Sequence, residues 1–200
     1  MPRRTAVAVV AVVAAAAVTA LVALAGAGGT GLGPEAGTGQ VERVSSSVAV
    51  VPEAERRPLP AFAGRTLDDR AIDLASLRGR PLVLNFWASW CGPCRAEQEG
   101  LELANKALAA KDVRMVGVNI RDDPGSAASY LEEFQVGYPS LYDRPAVLSA
   151  RLGALGPPAP PYTLVVDAKG RVAARVFGVL PGGEPDLQAA LLTDLVERVT

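Results

Sequence analysis

The chain predicts an α/β domain, a central mixed β-sheet flanked by helices, with a small hairpin in front of it. Three observations lead there. Short, continuous apolar runs at 82–87, 113–120 and 162–167 alternate with stretches of helical periodicity. Strand, helix, strand, helix in that order predicts parallel pairing with right-handed crossovers. The only two cysteines, Cys91 and Cys94, fall where the first apolar run gives way to a helical pattern.

The chain has 200 residues, half of them hydrophobic, and a formal net charge of −1. One compact domain plus an extension is the expectation. So even a charge balance gives no sign of nucleic-acid binding and excludes a large basic patch as the organising feature.

Met1-Pro-Arg-Arg4 is followed by Thr5–Ala27, 23 residues without a charge and rich in Ala and Val. That run exceeds the ~20 residues of a membrane span and the 7–15-residue core of a signal peptide. Residues 1–27 therefore read as an N-terminal membrane anchor. Arg3 and Arg4 stay cytoplasmic, and the rest of the chain is sent outward. The alternative is secretion after cleavage near Ala23-Leu-Ala25. Residues 28–58, rich in Gly, Pro, Ser and Glu, read as a flexible linker. Within them Val48-Ala-Val-Val51 is strand-prone, but it is read as unstructured.

Residues 59–200 form the expected domain. Gly64–Leu74 has apolar residues flanking Asp68-Asp69, consistent with a hairpin, and Ala75–Gly79 with a short helical turn. Leu82–Trp87 suits a strand buried on both faces. Arg95–Lys111 is a helix with Leu101, Ala104 and Leu108 toward the sheet, and Gly100 within it is read as the site of a bend. Val113–Ile120 is a second buried strand, 121–126 a loop and Ser126–Gln135 a helix. Tyr138–Tyr142 is a short extended piece and Ala146–Leu152 a short helix. Asp167-Ala-Lys-Gly170 is a hairpin turn joining 162–167 to 171–177. Pro185–Val199 closes the chain as an amphipathic helix, with Leu187, Ala190, Leu191, Leu195 and Val196 on its apolar side.

Cys91 sits at a strand-to-helix junction, and Pro93 falls in the first turn, where a missing N–H does no harm. The helix start offers unpaired N–H groups and the positive end of its dipole, and these favour the reactive thiolate. Cys94, one turn on, can attack Cys91 once Cys91 carries a mixed disulfide. Cys91 is thus the attacking sulfur and Cys94 the resolving one. A structural disulfide more often closes a longer loop. A zinc site needs about four ligands, whereas this chain has two cysteines and no histidine. A pair of inert buried thiols would leave Trp90, Gly92 and Pro93 without a reason.

Asn85-Phe-Trp-Ala-Ser-Trp-Cys-Gly-Pro-Cys-Arg-Ala-Glu97 resembles the active-site signature of the TlpA/ResA branch of the thioredoxin superfamily. The resemblance runs from about Leu59 to Thr200 and implies a thioredoxin-like fold. It also implies a membrane-tethered or exported thiol–disulfide oxidoreductase, of a kind several of whose members serve cytochrome c maturation. Pro161, by its distance before Thr163–Asp167, resembles the cis-proline that faces the cysteine pair in such proteins; a stiff surface loop is the alternative. Pro160 departs from many relatives, because it has no N–H to offer a substrate strand. Trp90, Gly92, Pro93, Pro160 and Pro161 are the expected substrate-contacting surface. Trp87 is read as a wall of the site or as core.

Glu97, three residues after Cys94, stands where ResA-like proteins carry a glutamate that tunes the thiols. A partly buried carboxylate there passes protons to and from Cys94; the alternative is a solvated carboxylate favouring the helix start. Relatives commonly carry proline at the position of Glu99, and this chain lacks it. Asn85 stands where cytoplasmic thioredoxins have a buried aspartate.

The function expected from all this is extracytoplasmic reduction of disulfides in exported proteins, with apocytochrome c the client that the resemblance implies. A membrane thiol electron donor would restore the dithiol, and no cofactor or metal is expected beyond the Cys91–Cys94 disulfide. The alternatives are a disulfide-forming oxidase and a peroxide-reducing redoxin. A copper-delivering chaperone is disfavoured by the lack of histidine.

Overall fold

The computed structural model describes residues 42–43, 47–156 and 159–200. The expected anchor at 1–27, most of the expected linker up to residue 46, and Pro157-Pro158 lie outside the described residues. Among the described residues no helix is long and apolar enough to cross a membrane.

The strands are β1 (Glu42–Arg43), β2 (Val48–Val50), β3 (Ala63–Arg65), β4 (Ala71–Asp73) and β5 (Leu82–Trp87), then β6 (Arg114–Ile120), β7 (Ser140–Asp143), β8 (Tyr162–Val166) and β9 (Val172–Phe177). The helices are α1 (Gly92–Ala109), α2 (Pro124–Glu133), α3 (Val147–Leu152) and α4 (Pro185–Val199). The main sheet has the order β1-β2-β9-β8-β5-β6-β7, and β3 pairs with β4 as a separate hairpin. As the strand–helix alternation predicts, β5, β6 and β7 run parallel. β8 and β9 return antiparallel. The mixed sheet expected from the sequence is the one observed.

Every residue of β5 is buried, which is why its run is continuously apolar apart from Asn85. Alternation along the strand divides the core. Val83 packs with Leu101, Ala104 and Leu108 of α1 and with Leu192, Leu195 and Val196 of α4. Leu82, Leu84 and Phe86 join Leu148 and Leu152 of α3 in a second cluster. Trp87 belongs to a third cluster, with both cysteines and Ala127 and Tyr130 of α2.

Two expectations are corrected. Val48–Val50, read as unstructured, pairs antiparallel with Val176–Ala174 of β9, and Val48 is buried in the first cluster. A three-residue edge strand gains its stability from a partner far along the chain, which local sequence does not reveal. In α4, Leu187 is 57% exposed and Ala190 is exposed, whereas Gln188, Leu192 and Val199 are buried. Leu195 and Val196 are buried as expected, but at its start the helix turns Gln188 inward in place of Leu187 and Ala190, the Gln188 amide donating to the Leu180 carbonyl. Gly100 marks the close approach of α1 to α4: a Cβ there would lie 2.5 Å from Gln188 Oε1 and 2.7 Å from its Cβ.

Candidate active site

β5 delivers the chain to the turn Ala88-Ser89-Trp90, and the Cys91 amide closes that turn on the Ala88 carbonyl at 3.1 Å. Cys91 is the N-cap of α1, with extended backbone, and Pro93 occupies the first turn. Its Sγ accepts the backbone N–H of Cys94 at 3.1 Å. A sulfur at a helix cap therefore takes one of the orphan amides of the helix start, a contact that strengthens when the sulfur is a thiolate. Cys91 and Cys94 are joined as a disulfide, with Cα atoms 5.2 Å apart. Cys91 is 4% and Cys94 1% exposed, while Gly92 and Pro93 between them are exposed.

The walls are aromatic. Trp87 stacks on Tyr130 with ring centroids 4.4 Å apart, and its Nε1–H donates to Ser140 Oγ at 2.7 Å. It is thus a core residue that also lines the buried side of the sulfurs. Tyr130 donates its hydroxyl to the Cys94 carbonyl at 3.1 Å, tying α2 to the first turn of α1. Trp90 is 58% exposed beside Cys91, and its Nε1–H donates to the Arg121 carbonyl at 3.0 Å.

Glu97 lies on the inner face of α1 and is 1% exposed. One carboxylate oxygen accepts Asn85 Nδ2–H at 3.0 Å, and the other accepts the Leu180 N–H at 2.8 Å. Burial pushes its carboxyl up to about 7, against the pull of these two donors toward the ionised form. Asn85 also donates to Thr163 Oγ1 at 3.1 Å, and its buried Oδ1 has no hydrogen-bond partner. The solvated reading of Glu97 is excluded by this burial.

Pro160-Pro161 is a cis peptide, as the resemblance implies. β8 begins at Tyr162 opposite Phe86, so Pro161 enters the sheet at the end from which the cysteine turn leaves. Its carbonyl accepts the Gly178 N–H at 3.0 Å. Pro161 is buried and Pro160 half-buried.

One part of the site was not anticipated. Asp122, on the loop after β6, accepts both the amide and the hydroxyl of Ser89, at 2.6 and 2.7 Å. The available signal was an Asp122-Asp123 pair at the carboxyl end of a buried parallel strand, where sites of open α/β sheets gather. Among the described residues, no group of three or more His, Cys, Asp or Glu is placed to hold a metal ion.

Residues 54–191 match the Redoxin family. The chain is 41% identical over 130 residues to the thiol:disulfide interchange protein DsbE of Yersinia pestis, covering 62% of this chain and 64% of that protein. It is 36% identical over 129 residues to DsbE of Escherichia coli strain K12, covering 62% and 65%. The match thus spans just under two thirds of the length of these two relatives. Among solved structures, a DsbF homologue from Corynebacterium diphtheriae superposes with a TM-score of 0.67 at 29% identity, covering 81% of this chain and 99% of that one. A secreted Mycobacterium tuberculosis disulfide oxidoreductase homologous to E. coli DsbE gives a TM-score of 0.56 at 28% identity, covering 68% and 95%. The fold is therefore thioredoxin-like, and the cysteine-capped helix lies within the matched stretch of a chain that belongs to the Redoxin family, among the relatives of the DsbE-type thiol:disulfide interchange proteins.

Proposed function

We propose that the chain is an extracytoplasmic thiol–disulfide oxidoreductase that reduces disulfides of exported proteins. The observation that carries this is the Cys91 sulfur at the cap of α1, bonded to Cys94 and accepting its amide. In the reduced enzyme the Cys91 thiolate attacks one sulfur of a client disulfide. That S–S bond breaks, a Cys91–client disulfide forms, and the first client sulfur leaves as a thiolate that takes up a proton. Cys94 then loses its proton and attacks Cys91 Sγ, expelling the second client sulfur. Two electrons have passed to the client, and the enzyme carries the Cys91–Cys94 disulfide.

Glu97 serves as the proton acceptor for Cys94. A carboxyl held near neutrality within the same helical turn can take the proton as Cys94 attacks and return it on re-reduction. Asn85 suits both states. Its amide N–H meets the carboxylate, and rotation of the amide presents Oδ1 to the protonated acid. Thr163 can either accept or donate at the same place.

Trp90, Gly92, Pro93 and the carbonyl of Pro160 form the surface that meets the client. Residues 1–27 anchor the domain to the membrane with the active site outside, and a membrane dithiol donor re-reduces it. A reductant outside the cytoplasm needs such a donor, since that compartment is oxidising. Apocytochrome c, whose haem-attachment cysteines must be reduced, is the client that the TlpA/ResA resemblance favours.

Equilibration with glutathione tests the direction of the reaction. A potential near about −270 mV supports reduction, and one near about −120 mV would make the protein a disulfide-forming oxidase instead.

A further inference from the structure

We infer that Asp122 is the positioning residue of the attacking cysteine: its buried carboxylate fixes the turn that seats Cys91 against Cys94. Each oxygen takes two donors. Oδ1 accepts Ser89 Oγ–H at 2.7 Å and Asp123 N–H at 2.9 Å. Oδ2 accepts Ser89 N–H at 2.6 Å and Asn119 Nδ2–H at 2.8 Å. Asp122 is only 4% exposed. All four of these donors are neutral, and two belong to Ser89, which precedes Cys91 by two residues.

The surroundings make this a rigid strut. Asn119 lies on β6 opposite Trp87 in the parallel register, so the amide that holds Asp122 is itself fixed by the sheet. The Tyr142 hydroxyl donates to the Asp122 carbonyl at 3.1 Å from β7. Trp90 adds a second tie between the same two loops through its bond to the Arg121 carbonyl. The segment from Ala88 to Cys91 is thus held at one end by β5 and along its length by the Arg121-Asp122 loop. Its far end is Cys91, the N-cap of α1. Closing the Cys91–Cys94 bond is an intramolecular step whose equilibrium depends on how well the two sulfurs are held together. A strut on the Cys91 side raises that effective concentration.

The inference rests on the oxidoreductase reading, and its test is the equilibrium constant for closing the disulfide against glutathione. In Asp122→Asn, whichever way the amide is turned, its NH2 group meets two donors that an oxygen had accepted. The constant should fall about tenfold, a potential about 30 mV less negative. Loss of the negative charge acts in the same direction, by favouring the thiolate of the reduced form. Ser89→Ala separates the two effects, because it keeps the charge and removes only the hydroxyl bond. It should lower the constant about threefold. If Asp122→Asn does not fold, Ser89→Ala decides alone.

A purely structural role would lower thermal stability and leave the constant alone. Wild-type constants in the folded variants would therefore overturn the inference. A wild-type protein that does not exchange with glutathione at all would overturn the oxidoreductase reading and the inference with it.

Discussion

Glu97→Gln isolates the buried acid with little change of shape. Glutamine can still accept the Leu180 N–H through Oε1, and a rotated Asn85 amide can accept its NH2 group, so the hydrogen bonds survive. What disappears is the titration. In the folded protein the carboxyl is raised from 4.5 to about 7. The folded state therefore binds a proton that the unfolded state releases between those values. Its contribution to stability is complete below about pH 4.5 and is lost as pH rises through about 7. At ~1.36 kcal/mol per pKa unit, a shift of this size amounts to about 3 kcal/mol by pH 8. Denaturant unfolding of the oxidised protein at pH 4.5, 6 and 8 is the assay. The variant should match wild type at the acid end and be more stable by about 3 kcal/mol at the alkaline end. Parallel stability curves across the range would refute the buried, titrating carboxyl. In the reduced protein, thiol titration curves unchanged in Glu97→Gln would refute its exchange of protons with Cys94.

Gly100→Ala should lose roughly 1–3 kcal/mol, because a methyl group would meet the Gln188 side chain, and this outweighs the ~1 kcal/mol gained in helix propensity; thermal unfolding decides, and a stabilised variant contradicts the packing. Ser140→Ala leaves the buried Trp87 N–H without its acceptor and should cost about 1–3 kcal/mol by denaturant titration. On α4, Leu192→Ala should cost about 2–5 kcal/mol, and Leu187→Ser should stay within ~0.5 kcal/mol; a larger loss at Leu187 than at Leu192 would mean the helix is turned as its sequence pattern suggests.

The parts of the fold legible in the sequence are those with local signals. β5 reads directly because six consecutive buried residues leave little polar among them. The β8–β9 hairpin reads from Asp167–Gly170, where Gly170 has φ +78° and Asp167 accepts the Arg171 amide. The cysteine cap reads because Pro93 and the strand-to-helix change flank it. The missed features depend on partners distant in sequence. Asp122 is defined by Ser89, 33 residues earlier, and no local pattern links them. The phase of α4 was ambiguous because apolar residues at 187, 189–192, 195 and 196 cover more than half its circumference. Burial of Gln188 against the Leu180 carbonyl then settled it. Glu97 could be placed on the right helical face, but its burial needed the loop carrying Leu180 to close over it.

The central claim is that Cys91 attacks and Cys94 resolves. Cys94→Ser protein, incubated with a disulfide-bearing client and separated without reductant, measures this directly. A mixed disulfide mapped to Cys91 should accumulate and should be absent when Cys91→Ser is used. Continued exchange by Cys91→Ser, or an adduct that forms without Cys91, would contradict the account.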